Sequence, residues 1–350
     1  MKAIVKFGYG DREVEVREAP EPELEPGQVL IATKAVGVCG SDVHMWRNNQ
    51  SWDIKIPVTM GHETAGVIVG VGDGVEGWSL GERVVCETAA FICGRCALCR
   101  TGRYNLCPDR EGFGNLRDGA FAELLLAPPR VLHRIPEGVS FEEAAMTEPF
   151  AVAYNALVER STVTPGDLVV IQGFGAIGAL SLQVARLRGA STIVVLGTDR
   201  DELRLNKARE MGADYTVNVQ REDASVVVGK LHDGLGADVV VDATGVSLAL
   251  QQGLELVRPL GSIVKIGWGP QPLGFSLDPL VQKAVTLYGS FSHSWSTWER
   301  VLGLFESGSL DAQGVLGGVY KVEEWEEAFE AMESGRNIKS VIAMGVALPA

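Results

Sequence analysis

The sequence contains no hydrophobic run that approaches the length needed to cross a bilayer, which is about 18 residues or more. Its N-terminal segment alternates charged with β-branched residues and lacks the apolar core of a signal peptide. Basic residues are in deficit, because 31 lysines and arginines stand against 45 aspartates and glutamates, a formal net charge of −14 at pH 7. That charge argues against nucleic acid and anionic membrane surfaces as partners. We therefore expect a soluble, cytoplasmic protein.

Cysteine is scarce, and its placement is uneven. Four of the six cysteines fall in the run CGRCALCRTGRYNLC, at Cys93, Cys96, Cys99 and Cys107. Two Cys-x-x-Cys steps and a closing fourth cysteine match the four-thiolate cage of a structural zinc site. A disulfide pair fits poorly, because no signal peptide is present and the other two cysteines are isolated. An iron–sulfur cluster is also disfavoured, since ferredoxin runs place only three residues before the last cysteine.

At 350 residues the chain is long for one domain, and its pattern changes along its length. Short strand patterns between glycine and proline turns predict a β-barrel-like or sandwich unit over residues 1–150, with the zinc lobe inserted at 90–110. Strand, glycine turn and helix then alternate as far as residue 290, which predicts a doubly wound parallel sheet. Apolar spacing predicts helices at 141–160, 179–190, 203–211, 249–257, 295–308 and 322–335.

The run from Gly173 to Gly178, GFGAIG, satisfies the G-x-G-x-x-G pattern, follows an apolar strand pattern and opens a predicted helix. Gly173 permits a tight turn, Gly175 lets the backbone approach a pyrophosphate, and Gly178 lets the helix pack closely on the strand. The N-terminus of the helix offers amide donors and a positive dipole end to phosphate, and Ile177 in the turn is a further candidate contact with the cofactor. We therefore predict that this turn binds a dinucleotide.

The choice between NAD and NADP depends on the end of the next strand. An acid that binds ribose is expected about 20 residues past the last glycine. Gly197 stands there and Asp199 follows it. Carboxylates here repel a 2′-phosphate, whereas Arg200 and Arg204 attract one; the acids also suit the start of a helix. We predict that NAD is favoured over NADP, and that Asp199, Arg204 and the later Thr244 contact the cofactor.

A second set of candidate metal ligands, Cys39 and His62, lies in the strings GVCGSDVH and GHETAGVIVGVGDGV. The latter fits G-H-E-x2-G-x5-G-x2-V. Together with the tetracysteine lobe and the glycine turn, these strings resemble the zinc-dependent medium-chain alcohol dehydrogenases, closest to the sorbitol or polyol branch, along essentially the whole chain. The resemblance implies an α/β protein with a GroES-like β-rich catalytic domain over 1–150 and 291–350, and a Rossmann domain over 151–290.

The resemblance also implies roles for individual residues. Cys39 and His62 match ligands of a catalytic zinc, and Glu63 matches an acid that is either a ligand or a partner of one. Ser41 and His44 match positions that pass the substrate's proton outward, although a surface histidine near a metal is the plainer interpretation of His44. The family implies one catalytic and one structural zinc per chain, and a dimer or tetramer. An open zinc site lowers the pKa of a bound hydroxyl, which suits alcohol oxidation.

The residue type at position 148 distinguishes the branches of this family. Alcohol-specific members carry a cysteine there and threonine dehydrogenases carry Asp-Pro, whereas this chain has Glu-Pro, as in the sorbitol dehydrogenases. The resemblance therefore places Glu148 in the shell of the catalytic metal; the alternative is an acid favoured at the start of a helix. One departure is that sorbitol dehydrogenases carry Arg-Tyr late in the chain, where Ser292 and His293 stand here.

The leading hypothesis is hydride transfer from a secondary alcohol of a polyol or sugar-like substrate to NAD. An amino alcohol acid such as threonine, or another secondary alcohol, is the alternative substrate. A non-catalytic relative that binds nucleotide without catalytic zinc is disfavoured, because Cys39 and His62 are both present.

Overall fold

The computed structural model describes residues 1–161 and 163–345. Contacts between residues divide the chain into two compact units. The first unit comprises Met1–Pro149, His293–Glu333 and the chain from Lys339 onward, and the second comprises Phe150–Ser292 and Ser334–Ile338. The return of Ser334–Ile338 to the second unit is not predicted by the sequence. No helix of the described residues is long and apolar enough to cross a membrane.

The first unit is rich in β-structure. Its strands are β1 Lys2–Lys6, β2 Val14–Glu18, β3 Val29–Gly37, β4 Val58–Thr59, β5 Glu63–Val71, β6 Arg83–Cys86, β7 Ala89–Phe91, β8 Glu111–Gly112, β9 Leu124–Ala127 and β10 Leu132–Arg134, followed late in the chain by β17 Leu316–Lys321 and β18 Lys339–Ala343. The largest sheet of the described residues has the order β10-β6-β5-β3-β18-β17, with β9 also paired to β3. The last strand, β18, thus lies beside the early strand β3.

The first unit also contains several helices, some of which pack on this sheet. They are α1 Gly40–Trp46, α2 Ala97–Arg100, α3 Phe141–Ala144, α10 Trp295–Glu306 and α11 Trp325–Glu333, and α4 Thr147–Tyr154 spans the junction with the second unit. Trp46 at the end of α1 is fully buried and meets Phe329 of α11 edge-to-face, with ring centroids 5.9 Å apart. Such aromatic contacts hold α1 in a fixed place. The sequence predicts both α10 and α11, and the structure confirms them.

The second unit is built on a parallel sheet. Its strands are β11 Leu168–Gln172, β12 Thr192–Gly197, β13 Tyr215–Asn218, β14 Ala237–Asp242, β15 Val257–Lys265 and β16 Thr286–Gly289; its helices are α5 Ala176–Leu187, α6 Glu202–Glu210, α7 Ala224–Val228, α8 Ser247–Leu256 and α9 Asp278–Gln282. Within the described residues the strand order is β13-β12-β11-β14-β15-β16, and every pairing is parallel. This arrangement confirms the predicted doubly wound sheet.

The single helix predicted over 141–160 is wrong. The structure has α3, a break, α4, and then a π-helix over Asn155–Arg160. Pro149 explains the break, because its ring clashes with the carbonyl four residues earlier, at Ala145, if the helix is continuous. In the first turn of α4 that clash is absent, and the missing N–H of proline removes no intrahelical hydrogen bond.

A buried polar cluster fastens the cysteine-rich lobe to the sheet. The Tyr104 hydroxyl lies 2.8 Å from both carboxylate oxygens of Glu87, and His133 Nε2 lies 3.1 Å from Glu87 Oε1. The other ring nitrogen of His133 lies 2.5 Å from Glu299 Oε1 on α10. Burial and the negative charge of Glu87 raise the pKa of Tyr104, so the phenol stays protonated and donates a hydrogen bond to Glu87.

We expect Tyr104→Phe to lower the free energy of unfolding by about 1–3 kcal/mol, because it removes a donor from a buried carboxylate. Urea denaturation measures this change. The control is Tyr9→Phe, since the Tyr9 side chain is 66% exposed and its loss should change stability by no more than about 0.5 kcal/mol. Equal stabilities of the two variants would contradict the proposed fastening of the lobe.

Candidate metal centres and nucleotide turn

The four clustered cysteines converge on one point. Their sulfur atoms all lie within 4.8 Å of one another, and the Sγ atoms of Cys93 and Cys99 are 3.9 Å apart. Four sulfurs around a zinc ion at about 2.3 Å are separated by roughly 3.8 Å, so the spacing fits that metal. The short helix α2 begins after Cys96, whose sulfur accepts a hydrogen bond from the Cys99 backbone N–H at 3.4 Å.

The surroundings of these cysteines favour a cation. Backbone N–H groups of Arg95 and Cys96 lower the pKa of the Cys93 thiol to about 7. By contrast, burial and the hydrogen bond with Cys96 raise the pKa of Cys99 to about 12. Neighbouring thiolates repel one another, and a divalent cation among them removes that repulsion. The residues therefore fit a structural zinc ion.

A second cluster contains Cys39, His62 and Glu63, whose ligand atoms also lie within 4.8 Å of one another. Cys39 stands at the N-terminus of α1, directly after β3, while His62 immediately precedes β5. Because β3 and β5 are antiparallel neighbours, with Gly37 opposite Glu63, the end of one strand meets the start of the other. Cys39 and His62 are thus brought together where β3 ends and β5 begins.

Asp42 stabilises this cluster, and the sequence reasoning missed it. Its carboxylate is 1% exposed; Oδ2 accepts the Cys39 backbone N–H at 2.9 Å, and Oδ1 lies 3.8 Å from His62 Nδ1. With Nδ1 turned toward Asp42, the other ring nitrogen of His62 is free for a metal. Burial raises the pKa of Asp42 against the opposing pull of His62. A signal existed, since an acid three residues after Cys39 completes a capping box at the start of α1.

The electrostatics of the cluster favour positive charge. Burial opposes a charged His62, yet Asp42, Cys39 and Glu148 together raise its pKa well above the usual value. The same negative groups attract a divalent cation to the donors that they surround. A thiolate, an imidazole and a carboxylate are ligands that zinc binds in proteins, so the chemistry of the donor set fits a zinc ion.

Glu63 is held by a buried lysine that the sequence does not reveal. Lys339 Nζ lies 2.5 Å from Glu63 Oε1, also contacts Oε2, and donates to the carbonyl of Val38 at 2.8 Å. Both side chains are almost completely buried, at 1% and 0% exposed. Burial lowers the pKa of Lys339, but the attraction of Glu63 and Cys39 outweighs it and raises the pKa overall. Glu63 therefore faces a permanent cation.

Glu148 lies in the first turn of α4, close enough for its charge to raise the pKa of His62. Its Oε1 is 3.1 Å from Nε2 of the buried His293. Burial pulls the pKa of Glu148 upward, but the hydrogen bond from His293 and the charges of His62 and Lys339 lower it overall. The carboxylate is therefore ionised at neutral pH. Glu148 is not among the three residues whose ligand atoms lie within 4.8 Å of one another.

Ser41 and His44 lie one turn apart on α1, and both are partly exposed. His44 Nδ1 is 2.7 Å from the Asn49 side-chain oxygen, so that nitrogen carries the proton and Nε2 is an acceptor. The Trp52 ring meets His44 edge-on, with centroids 6.2 Å apart. Both residues thus lie on the helix that begins after Cys39, and both are accessible to solvent in part.

The glycine turn has the local geometry that its sequence predicts. Gly173 has φ +82°, a conformation that other residues avoid, and a Cβ there would lie 2.7 Å from Cγ2 of Thr244. A Cβ on Gly178 would lie 2.0 Å from the Gly173 carbonyl oxygen, so only glycine permits this approach of helix and turn. A Cβ on Gly175 would meet open space, which leaves room at the start of α5 for a phosphate. Ile177 lies in the first turn of α5.

The acids after β12 divide into two kinds. Asp201 caps the following turn, since its carboxylate accepts from the Thr198 backbone and hydroxyl, at 3.0 and 2.8 Å, and lies 3.4 Å from Arg204 Nη1. Asp199 is 51% exposed and lies 2.6 Å from Nε of Arg221 and 2.7 Å from the Asn218 side-chain nitrogen. Asp199 follows the carboxyl end of β12 by two residues, near the sheet edge at which dinucleotide-binding sheets of this kind hold a ribose.

Comparison with known proteins assigns this architecture to a family. Residues 25–137 match the alcohol dehydrogenase GroES-like domain, and residues 176–307 match the zinc-binding dehydrogenase domain. The chain is 40% identical over 343 residues to a sorbitol dehydrogenase from Halalkalibacterium halodurans, covering 98% of this chain and 99% of that protein. It is 37% identical over 352 residues to an L-threonine 3-dehydrogenase from Pyrococcus horikoshii, with coverage of 98% and 99%.

A solved structure shows the same fold with a cofactor bound. An alcohol dehydrogenase from Escherichia coli CFT073, complexed with NADH, aligns with a TM-score of 0.89 and 27% identity over 98% of this chain and 99% of that chain. The GroES-like and Rossmann folds implied by the resemblance are therefore confirmed. This protein belongs to the zinc-binding alcohol dehydrogenase family, and it is an NAD(P)-dependent oxidoreductase.

Proposed function

We propose that the protein oxidises a secondary alcohol of a polyol or sugar-like compound and passes the hydride to NAD in preference to NADP. The observation that carries the proposal is an ionised, buried Glu148 that interacts with His62, at the position where alcohol-specific members carry a second thiolate. The sorbitol dehydrogenase relative, at 40% identity, supports the same class of substrate.

Cys39, His62 and Glu148 are the protein ligands that we assign to the catalytic zinc ion, directly or through water. Glu63 is less suited to this role because Lys339 already pairs with its carboxylate. A carboxylate in place of a thiolate makes the site harder and its grip on metal weaker. Such a site favours exchange of ligands with a substrate that carries several hydroxyls.

The chemistry is shared between the bound groups and the chain. Zinc supplies a Lewis acid and the nicotinamide supplies a hydride acceptor when they are bound. Ser41 and His44 take the proton that leaves the substrate hydroxyl and pass it toward solvent, where His44 is partly exposed. Asp42 keeps the His62 ring in orientation, and Lys339 offsets the charge of Glu63.

The preference for NAD rests on Asp199. A free 2′-hydroxyl donates a hydrogen bond to a carboxylate, whereas a 2′-phosphate is repelled by it. Asn218 and Arg221 hold the Asp199 carboxylate in place. Arg221 also offsets part of the negative charge, so the discrimination is expected to be moderate rather than absolute.

A threonine-type substrate is the second candidate, because the L-threonine 3-dehydrogenase relative is nearly as similar, at 37% identity. Reduction of NAD and NADP across polyols, aldoses, inositols, threonine and simple alcohols distinguishes the two classes. Turnover on polyols above that on threonine supports the proposal, and the reverse order overturns it. We also expect a dimer or tetramer. We further expect a reducing cytoplasmic setting, in which none of the six cysteines forms a disulfide, as in the structure.

Two zinc ions per chain with unequal retention are expected. The closed cage of Cys93, Cys96, Cys99 and Cys107 should keep its metal through brief chelation, whereas the open Cys39/His62 site should lose metal and activity together. Metal analysis and an activity assay after timed chelator exposure test this. A fully active chain that holds a single zinc ion would contradict the assignment of two sites.

Asp199→Ala should lower the ratio of kcat/KM for NAD to kcat/KM for NADP by about tenfold. This change corresponds to a loss of ~1.4 kcal/mol of discrimination between the two cofactors. Steady-state kinetics with both cofactors measure the ratio. Arg221→Ala is the matched variant, and it should widen the ratio because it uncovers the Asp199 charge. An unchanged ratio in Asp199→Ala would point instead to a phosphate pocket beside Gly197 with Arg200 as its anchor.

Glu148→Gln keeps the shape of the side chain and removes its charge, so turnover should fall by about tenfold or more, as loss of metal-shell partners does. Glu142→Gln is the control, because Glu142 occupies the first turn of the neighbouring helix α3 and should affect only stability. Turnover and zinc content of both variants are compared with the parent protein. A Glu148→Gln variant with the parent rate and zinc content would leave Glu148 as a helix residue and remove the main support for a polyol substrate.

A further inference from the structure

His293 is a buried histidine to which the sequence assigns no role. It contacts Glu148, the acid that we propose for the metal shell. His293 is 2% exposed and Glu148 is 6% exposed, and the His293 Nε2 atom lies 3.1 Å from Glu148 Oε1. Within residues 1–161 and 163–345, no other hydrogen bond to the Glu148 carboxylate is seen, so its second oxygen is not engaged by the described chain. His293 therefore contacts the acid from one side only.

Trp298 decides which nitrogen of His293 carries the proton. The Trp298 indole N–H points at His293 Nδ1 from 2.5 Å, and the two rings meet edge-to-face with centroids 5.0 Å apart. An indole N–H can only donate, so Nδ1 must accept. The proton of the neutral ring is then on Nε2, where it is donated to Glu148. The tautomer is set by geometry, without reference to pH.

Trp298 is itself immobilised. It is fully buried on α10, and its ring stacks on His133 at a centroid distance of 5.4 Å and an angle of 12°. His133 is held between the carboxylates of Glu87 and Glu299. Each member of this series is fixed by the next, so the donor that faces Glu148 has a defined position.

We propose that His293 is a positioning residue for the reaction, which aims the Glu148 carboxylate at the metal by holding one of its oxygens, with Trp298 fixing the tautomer that makes this possible. The inference rests on the proposed place of Glu148 in the metal shell. A glutamate side chain has three rotatable bonds, and a ligand that samples several rotamers binds metal more weakly than one that is held. The hydrogen bond from His293 removes that freedom.

The test uses the zinc-loaded full chain with His293→Leu and His293→Gln. Leucine removes both hydrogen bonds, whereas the glutamine amide can accept from Trp298 and donate to Glu148. His293→Leu should lower kcat by about tenfold, release zinc from the Cys39/His62 site to a competing chelator at least tenfold faster, and alter the visible spectrum of the cobalt-substituted site. His293→Gln should restore most of all three.

A matched pair of tryptophan variants separates positioning from packing. Trp298→Phe should speed zinc release in the same direction as His293→Leu, because it removes the donor to Nδ1. Trp295→Phe should leave zinc release unchanged, since the Trp295 ring also lies 5.6 Å from the His133 ring but forms no ring contact or hydrogen bond with His293 among the described residues. Equal zinc release from the two variants overturns the role of Trp298.

The failure of this inference can be told from the failure of the proposed function. If Glu148→Gln weakens zinc retention but His293→Leu changes only the melting temperature, His293 is a packing residue and the inference alone is wrong. If Glu148→Gln retains zinc like the parent protein, the inference fails together with the place of Glu148 in the metal shell, and the substrate panel then decides the proposed function. In the double variant Glu148→Gln/His293→Leu, the effect of His293 on zinc release should largely disappear, because it acts through Glu148. Full additivity overturns the inference.

Discussion

The ion pair between Glu63 and Lys339 is the interaction on which the metal-site unit depends. It joins the start of β5 to the start of β18, and Lys339 also binds the carbonyl of Val38, next to Cys39. Removing one partner of a buried pair costs about 3–5 kcal/mol, whereas an apolar replacement of both is often neutral. Stability alone therefore does not explain the pair. Its position next to Cys39 does, since Lys339 cancels the negative charge of Glu63 beside a cluster that also contains the Asp42 carboxyl group.

Close packing around this ion pair leaves no room for a side chain at Gly37. A Cβ built on Gly37 would lie 1.9 Å from Glu63 Oε2 and 3.0 Å from Lys339 Cε. Gly37 is also the residue of β3 that stands between Glu63 and Val341 in the sheet. The backbone of β3 thus passes directly over the ion pair, and Cys39 follows two residues later. The position of Cys39, the first of the proposed metal ligands, therefore depends on the close packing of Gly37 against this ion pair.

What the sequence predicted correctly was local. The tetracysteine lobe, the turn GFGAIG and the alternating strands and helices of the second unit are written in consecutive residues, and the structure has them where expected. The residues that were missed come from elsewhere in the chain. Lys339 is 276 positions from its partner Glu63, and His293 is 145 positions from Glu148. No spacing rule reaches so far, because such contacts are created by the order of strands in a sheet.

The same separation sets an order of events during synthesis. The second unit is drawn mainly from the continuous stretch Phe150–Ser292, whereas the first needs β18, which leaves the ribosome near the end of the chain. At roughly 5–20 residues per second, the 276 residues between Glu63 and Lys339 take on the order of 14–55 s to make. Throughout that interval β3 lacks its neighbour β18, and the Val38 carbonyl beside Cys39 lacks its hydrogen bond from Lys339. We therefore expect lasting occupation of the proposed Cys39/His62 metal site to be a late step in biogenesis, after the stretch Phe150–Ser292 has been made.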